Sequence, residues 1–217
     1  FDDTKMNIVD TPGHADFGGE VERIMSMVDG VCLVVCATEG PMAQTKFVLE
    51  KALKQNTLPI VAINKVDRET ARTDEVESEI LDLFCTLDPT DEQLEYPVIR
   101  CSAKDGYESE SLLDKIIEHI PPPKVDQNSP NYKMLVTQTE SSQYFGRLLV
   151  GKIQSGNIKI GDKVQAISQD GKVIQTGSIL KIFKKFGVAE AEIEEAFTGD
   201  IVSIAGLNDV TVGATIN

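Results

Sequence analysis

Tryptophan is absent from the 217 residues, histidine occurs twice, and cysteine four times with no Cys-x-x-Cys pair. Without paired cysteines or a histidine cluster the chain offers no zinc spacing, and its thiols read as reduced core residues. Bases are scarce: 21 Lys and Arg stand against 35 Asp and Glu, a formal charge of −14. A chain this acidic gains nothing from bulk attraction to nucleic-acid phosphates, which leaves the small cluster Lys181, Lys184 and Lys185 as its one local RNA candidate. No run of about 18 apolar residues occurs, so no transmembrane helix and no membrane contact are expected. The opening Phe1-Asp2-Asp3-Thr4-Lys5 has neither the cationic start nor the apolar core of a signal peptide, so a protein that is not secreted is expected. Also missing is any Gly-x-x-x-x-Gly-Lys-Ser/Thr phosphate loop.

What is present divides in two. Residues 1–123 hold 25 acids and 11 bases, whereas residues 124–217 hold ten of each. The composition changes at Pro121-Pro122-Pro123, a stiff hinge, which predicts domains at 1–123 and 124–217. In the first, strand-like runs alternate with helix-period segments. Met6–Val9 reads as a strand, Val21, Ile24, Met25 and Val28 as one face of a helix, and Val31–Cys36 as a central strand buried on both faces. A helix over 42–55, a strand over 58–63, a helix over 73–87, a strand over 97–101 and a helix over 111–120 follow. That order predicts a doubly wound α/β sheet. In the second, short period-2 segments separated by turn signals, among them Asp170-Gly171, predict a small all-β barrel. Phe145 and Phe183 read as barrel core, and Glu190, Glu192, Glu194 and Glu195 as a solvated face.

Open α/β sheets bind ligands at the carboxyl ends of their strands. Three such ends carry polar motifs: Asp10-Thr11-Pro12-Gly13-His14, Asn64-Lys65-Val66-Asp67 and Ser102-Ala103-Lys104. A carboxylate at Asp67 can accept two parallel N–H donors, the pair guanine presents at N1 and N2 and adenine does not. Asn64 can brace the neighbouring loops or meet the purine N7, and the Lys65 stem can lie on the ring face. Backbone N–H groups at Ser102 and Ala103 can meet the guanine O6, with Ser102 bracing the Asp67 loop. In the first motif, Gly13 lets its amide approach a phosphate, Asp10 suits Mg²⁺ through a bound water, and His14 can orient or deprotonate water for in-line attack.

Taken together these motifs resemble the third, fourth and fifth guanine-nucleotide motifs of translational GTPases. The stretch Asn7 to Arg23, with Gly40-Pro-Met-Ala-Gln-Thr-Lys-Phe-Val48, is similar to the TypA/BipA family of ribosome-associated GTPases. The second domain resembles the β-barrel second domain of these factors at Phe145-Gly-Arg147, Gly151-Lys-Ile153 and Gly161-Asp-Lys-Val164. The resemblance implies GTP/GDP and Mg²⁺ as ligands and GTP hydrolysis on the ribosome, with a role in ribosome assembly or stress adaptation. It implies a location in the bacterial cytoplasm or an organelle matrix or stroma. By the same resemblance Asp10 supports Mg²⁺ through water, Gly13 senses the terminal phosphate and His14 positions the hydrolytic water. Thr11 and Pro12 belong to that loop, residues 15–28 form a nucleotide-sensitive helix, and Asn64, Lys65 and Asp67 hold guanine, with Ser102, Ala103 and Lys104 beside them. An elongation factor G-like or LepA-like GTPase and a non-catalytic ribosome-binding module are the alternatives. Because the phosphate loop, its strand and its helix are missing, the expectation is a partial P-loop-GTPase-type sheet within an internal fragment. Such a fragment would bind GTP weakly, and a gap in its sheet would promote self-association or rearrangement.

Overall fold

In the computed structural model the chain is described over residues 4–11, 18–126, 129–187 and 189–217. It divides into two compact units, residues 1–122 and 123–217.

The first unit runs α1 (Gly18–Met25), β1 (Gly30–Cys36), α2 (Ala43–Lys54), β2 (Leu58–Asn64), α3 (Thr73–Cys85), α4 (Asp91–Leu94), β3 (Val98–Cys101) and α5 (Ser109–His119). The strands form a parallel sheet in the order β1-β2-β3. Alternate side chains along each strand point to opposite faces. Leu33, Val35, Val61 and Ile63 pack with Leu49 and Leu53 of α2 and Val76, Ile80 and Phe84 of α3. On the other face Ile60, Ala62, Ile99 and Cys101 meet Leu112, Ile116 and Ile120, from α5 and the residue after it. Helices therefore cover both faces of a parallel sheet, which is the doubly wound architecture read from the β/α alternation.

Buried polar groups fasten the loops. In α4, Thr90 and Gln93 form a capping box: Gln93 N donates to Thr90 Oγ1 at 3.3 Å, and Thr90 N donates to Gln93 Oε1 at 3.0 Å. The Gln93 side chain is 2% exposed, and its Nε2 donates to the carbonyls of Leu53 and Thr57 at 3.1 and 3.2 Å. One amide thus satisfies two carbonyls of the α2–β2 connection that burial would otherwise leave unpaired.

Three sequence expectations fail in this unit. Residues 6–9 form no strand, and Ile8 is 82% exposed. A strand needs a neighbour's backbone groups, and among the described residues none pairs with this segment. Val31–Cys36 is accordingly an edge of the described sheet, with Cys32 and Val34 exposed, not a central strand buried on both faces. Cys85 is exposed as well, so only Cys101 is a fully buried thiol; all four cysteines are free.

The second unit contains β4 (Lys133–Leu135), β5 (Gln138–Ser142), β6 (Gly146–Ser155), β7 (Asn157–Lys159), β8 (Lys163–Ile167), β9 (Val173–Ser178), β10 (Lys181–Phe186), β11 (Ala189–Ile193), β12 (Glu195–Phe197), β13 (Ile201–Ala205) and β14 (Thr215–Ile216). Nine strands join in the order β11-β10-β13-β6-β4-β14-β8-β9 with β5 also on β6, and β7 pairs with β12. The long strand β6 carries the barrel, because β5 and β13 pair along most of its length and β4 pairs near its end. Gly151 lies where a Cβ would run into the Leu135 carbonyl, so no larger residue fits at that crossing. The Asp170-Gly171 hairpin forms as read, with Gly171 at φ +77° and its N–H donating to Ser168 O at 2.9 Å. Met134, Leu149, Ile153, Ile158, Ile182 and Ile204 are among the side chains filling the core.

Phe145 and Phe183 lie outside that core. They are half-buried and pack on each other, ring centroids 5.6 Å apart, on the outer surface. The acidic run is mostly strand: β11 sits at a sheet edge with its glutamates exposed, and charge on an edge deters further pairing. Each lysine of the basic cluster has a carboxylate partner: Lys181 with Glu192, Lys184 with Asp200 and Lys185 with Glu140 at 3.9 Å. The cluster is thus locally neutralised, and its attraction for RNA phosphates is correspondingly weak.

Candidate guanine-nucleotide site

Register aligns the strand ends. Cys36 pairs with Asn64, and Asn64 pairs with Cys101, so β1, β2 and β3 stop on one rung and release three loops at one edge. Ala37 N donates to Asn64 O at 2.8 Å, and Val66 N donates to Cys101 O at 3.3 Å, which stitches the loops beyond the ladder.

Asn64 is the joint between the second and third motifs. Its Oδ1 accepts from Lys65 N at 2.8 Å and from Ala103 N at 3.0 Å. Lys65 then adopts φ +68°, a left-handed conformation that costs a side-chain-bearing residue about 1 kcal/mol and persists only where neighbours over-determine it. The bond from its own amide to Asn64 supplies that constraint. Asp67 follows, exposed at the rim, and a hydrogen bond from the nearby Ser102 hydroxyl is the main cause holding its carboxyl below the ordinary aspartate value, with Lys104 and Arg68 adding positive charge. The Ser102 hydroxyl also lies 3.3 Å from Asp105 Oδ2, to which it can donate, and accepts from Asp105 N at 3.4 Å. Ser102 is 2% exposed. Its loop closes with Tyr107 through two backbone bonds, Ser102 N to Tyr107 O at 3.2 Å and Tyr107 N to Ser102 O at 3.1 Å.

Asn64, Lys65 and Ala103 are therefore one bonded constellation, with Asp67 beside it under the electrostatic influence of Ser102 and Lys104. It presents an ionised acceptor at Asp67 beside a loop of backbone amides, a surface suited to a planar base with paired N–H donors and a carbonyl acceptor. The first motif is different. Asp10 is exposed and Thr11 half-buried, and among the described residues neither bonds to these loops. Pro12, Gly13 and His14 lie outside the described residues. Motif reading passed over Asp105 and Tyr107, which close the third loop; the signal available was Asp105-Gly106, a turn pair with Gly106 at φ +71°.

Comparison with known proteins identifies the family of the chain. Residues 1–122 match the family described as elongation factor Tu GTP binding domain, and residues 146–216 match elongation factor Tu domain 2. The chain belongs to the elongation factor Tu GTP-binding family. Within that family it is similar to proteins named large ribosomal subunit assembly factor BipA. Identity is 47% to the Bacillus subtilis protein, 43% to that of Haemophilus influenzae and 41% to that of Synechocystis, each over all of this chain. It spans 37%, 36% and 38% of the length of these three relatives. Among solved structures, translation elongation factor SelB from Methanococcus maripaludis, in complex with the GTP analogue GppNHp, shares the fold. That match has TM-score 0.75 at 24% identity over 95% of this chain and 45% of SelB; the apo form matches at TM-score 0.73. The α/β unit thus matches the family's first domain and the barrel its second.

Proposed function

We propose that this chain is the guanine-reading part and second domain of a ribosome-associated GTPase of the BipA type, which converts GTP to GDP and phosphate. The observation carrying the reading is Asn64 Oδ1, which ties the Asp67 loop to the Ala103 amide across 39 residues of sequence. In this reading the Asp67 carboxylate accepts guanine N1–H and N2–H. The Ala103 amide faces O6, and the Lys65 stem covers the ring. Gly13 offers an amide to the terminal phosphate, and His14 holds the attacking water and receives its proton. Mg²⁺, when bound, neutralises phosphate charge. A single exposed carboxylate at Asp10 fits it through a bound water, since Mg²⁺ takes one or two carboxylates and keeps much of its water. The relatives' name supports the assembling large ribosomal subunit as partner, and with it a bacterial cytoplasm or an organelle matrix or stroma as the location in this reading. No described helix is long and apolar enough to cross a membrane.

Two measurements test this. GTP turnover by the full-length protein is expected to rise when ribosomes are added; equal turnover with and without them contradicts the ribosomal assignment. Titration of the 217-residue chain with GTP and Mg²⁺ is expected to show affinity weaker than about 1 μM, because no phosphate loop supplies an amide cradle and lysine. Submicromolar affinity contradicts that account.

The β1 edge favours a second property, self-association of the 217-residue chain. Gly30–Cys36 has no charge and no proline, and Val34 is 60% exposed on it. Sedimentation velocity is expected to show concentration-dependent dimers that Val34→Lys disperses; a monomer across the accessible concentration range contradicts it.

A further inference from the structure

We propose that Arg72 is a positioning residue for the guanine-reading loop, an inference that rests on the nucleotide reading above. Arg72 precedes α3 and belongs to none of the three motifs. Its backbone N–H donates to Ala37 O at 2.9 Å, its Nε to Thr38 O at 3.2 Å and its Nη2 to Glu39 O at 3.2 Å. One residue thereby holds three successive carbonyls of the turn that leaves β1. The other side of the guanidinium meets the Glu79 carboxylate through both Nη atoms, with Glu75 3.6 Å from Nη1. The planar fork serves carbonyls on one side and carboxylates of α3 on the other, a geometry a lysine ammonium cannot reproduce. Gly40 ends the same turn at φ +74°, and a Cβ there would approach Arg72 Nη2 to 2.9 Å and crowd Glu79.

The clamp reaches the site through the main chain. Ala37, whose carbonyl Arg72 holds, donates its own N–H to Asn64 O. Asn64 is then fixed from two sides, by Ala37 through its backbone and by Ala103 through its side chain. Lys65 takes its left-handed φ immediately after this doubly held residue and bonds to it through its own amide. The carboxylates that anchor the guanidinium are partly exposed, so the ion pairs alone contribute little to global stability. The effect of the clamp falls on the placement of the Asn64–Asp67 loop, to which base hydrogen bonds are sensitive.

The test uses the full-length protein with Arg72→Lys, Arg72→Ala and Gly40→Ala, measuring Kd for GDP and IDP together with Tm. IDP lacks the N2 amine, so the ratio of the two Kd values reports how well Asp67 is aimed. Arg72→Lys is expected to raise the GDP Kd about tenfold and to narrow the IDP/GDP ratio towards one while Tm stays close to that of the parent. Gly40→Ala is expected to narrow the ratio in the same sense with Arg72 still present. A lowered Tm with both Kd values within twofold of the parent overturns the proposal, leaving Arg72 a stabilising residue only. Asp67→Asn serves as control. If it fails to move preference from guanine to xanthine, the base-reading assignment has failed, and the role of Arg72 falls with it; a switching control beside unresponsive Arg72 variants refutes the positioning role alone.

Discussion

In the full-length protein, Asp67→Asn is expected to weaken GDP binding about a thousandfold and to create binding of xanthosine diphosphate. The carboxylate is an acceptor at both oxygens, matching the N1–H and N2–H donors of guanine. Asparagine keeps one acceptor and turns the other position into a donor, which faces the guanine amine and cannot pair with it. One hydrogen bond to a charged group, worth about 1.5–3 kcal/mol, is lost, the other becomes a weaker neutral bond, and two donors are left facing each other, which together is worth roughly three factors of ten. Xanthine carries a carbonyl at C2, and the new amide N–H can donate to it. Competition of each nucleotide against a fluorescent GDP reads both changes. Unaltered GDP affinity removes Asp67 from the site. The Ser102 hydroxyl holds the Asp67 carboxyl below its ordinary value. The ionised acceptor therefore persists to lower pH than an unassisted aspartate would allow, and the acid-side loss of guanine affinity is expected to be displaced in that direction.

The second large effect is kinetic. His14→Ala is expected to lower ribosome-stimulated GTP turnover by a hundredfold or more while GDP affinity stays within twofold. Positioned proton transfer contributes about 10²–10⁴ in rate, and alanine can neither orient water nor take its proton. Binding is expected to be spared because the proposed base contacts sit on the Asn64 and Ser102 loops, far along the chain from residue 14. Single-turnover hydrolysis on ribosomes, paired with equilibrium GDP binding, separates the two quantities. A fall in affinity equal to the fall in rate makes His14 a structural residue of its Pro-Gly turn.

Much of the architecture was legible because each signal was local. The period-3.6 segments became α2, α3 and α5, the apolar run over 58–63 became β2, and Asp170-Gly171 became a hairpin between β8 and β9. Asn-Lys-Val-Asp and Ser-Ala-Lys were readable as a pair since both follow strand-like runs, and the structure joins them through the Asn64 amide oxygen. Where reading failed, the deciding fact was a neighbour. Met6–Val9 has strand composition but no partner ladder. Val31–Cys36 has central-strand composition but lies at an edge, which exposes Val34 and Cys32. Phe145 and Phe183 are large and apolar, yet they pack on the outside of the barrel, since the alternation of β10 sends Ile182, not Phe183, into the core. The short strands β7, β12 and β14 have two or three residues, too few for period-2 patterning to register.

By itself the sequence determined the two-domain division in composition, the α/β and all-β characters of its parts, and which side chains could recognise guanine, because periodicity, turn chemistry and donor–acceptor inventory are properties of residue type. Only the tertiary structure decided that Cys36, Asn64 and Cys101 end on one rung, that Lys65 turns left-handed beneath two bonds to Asn64, and that Arg72 grips the turn next door. Those facts depend on register and on contacts between residues far apart in sequence, such as the 34 positions from Thr38 to Arg72 and the 39 from Asn64 to Ala103, and no local pattern encodes which distant carbonyl a guanidinium will find.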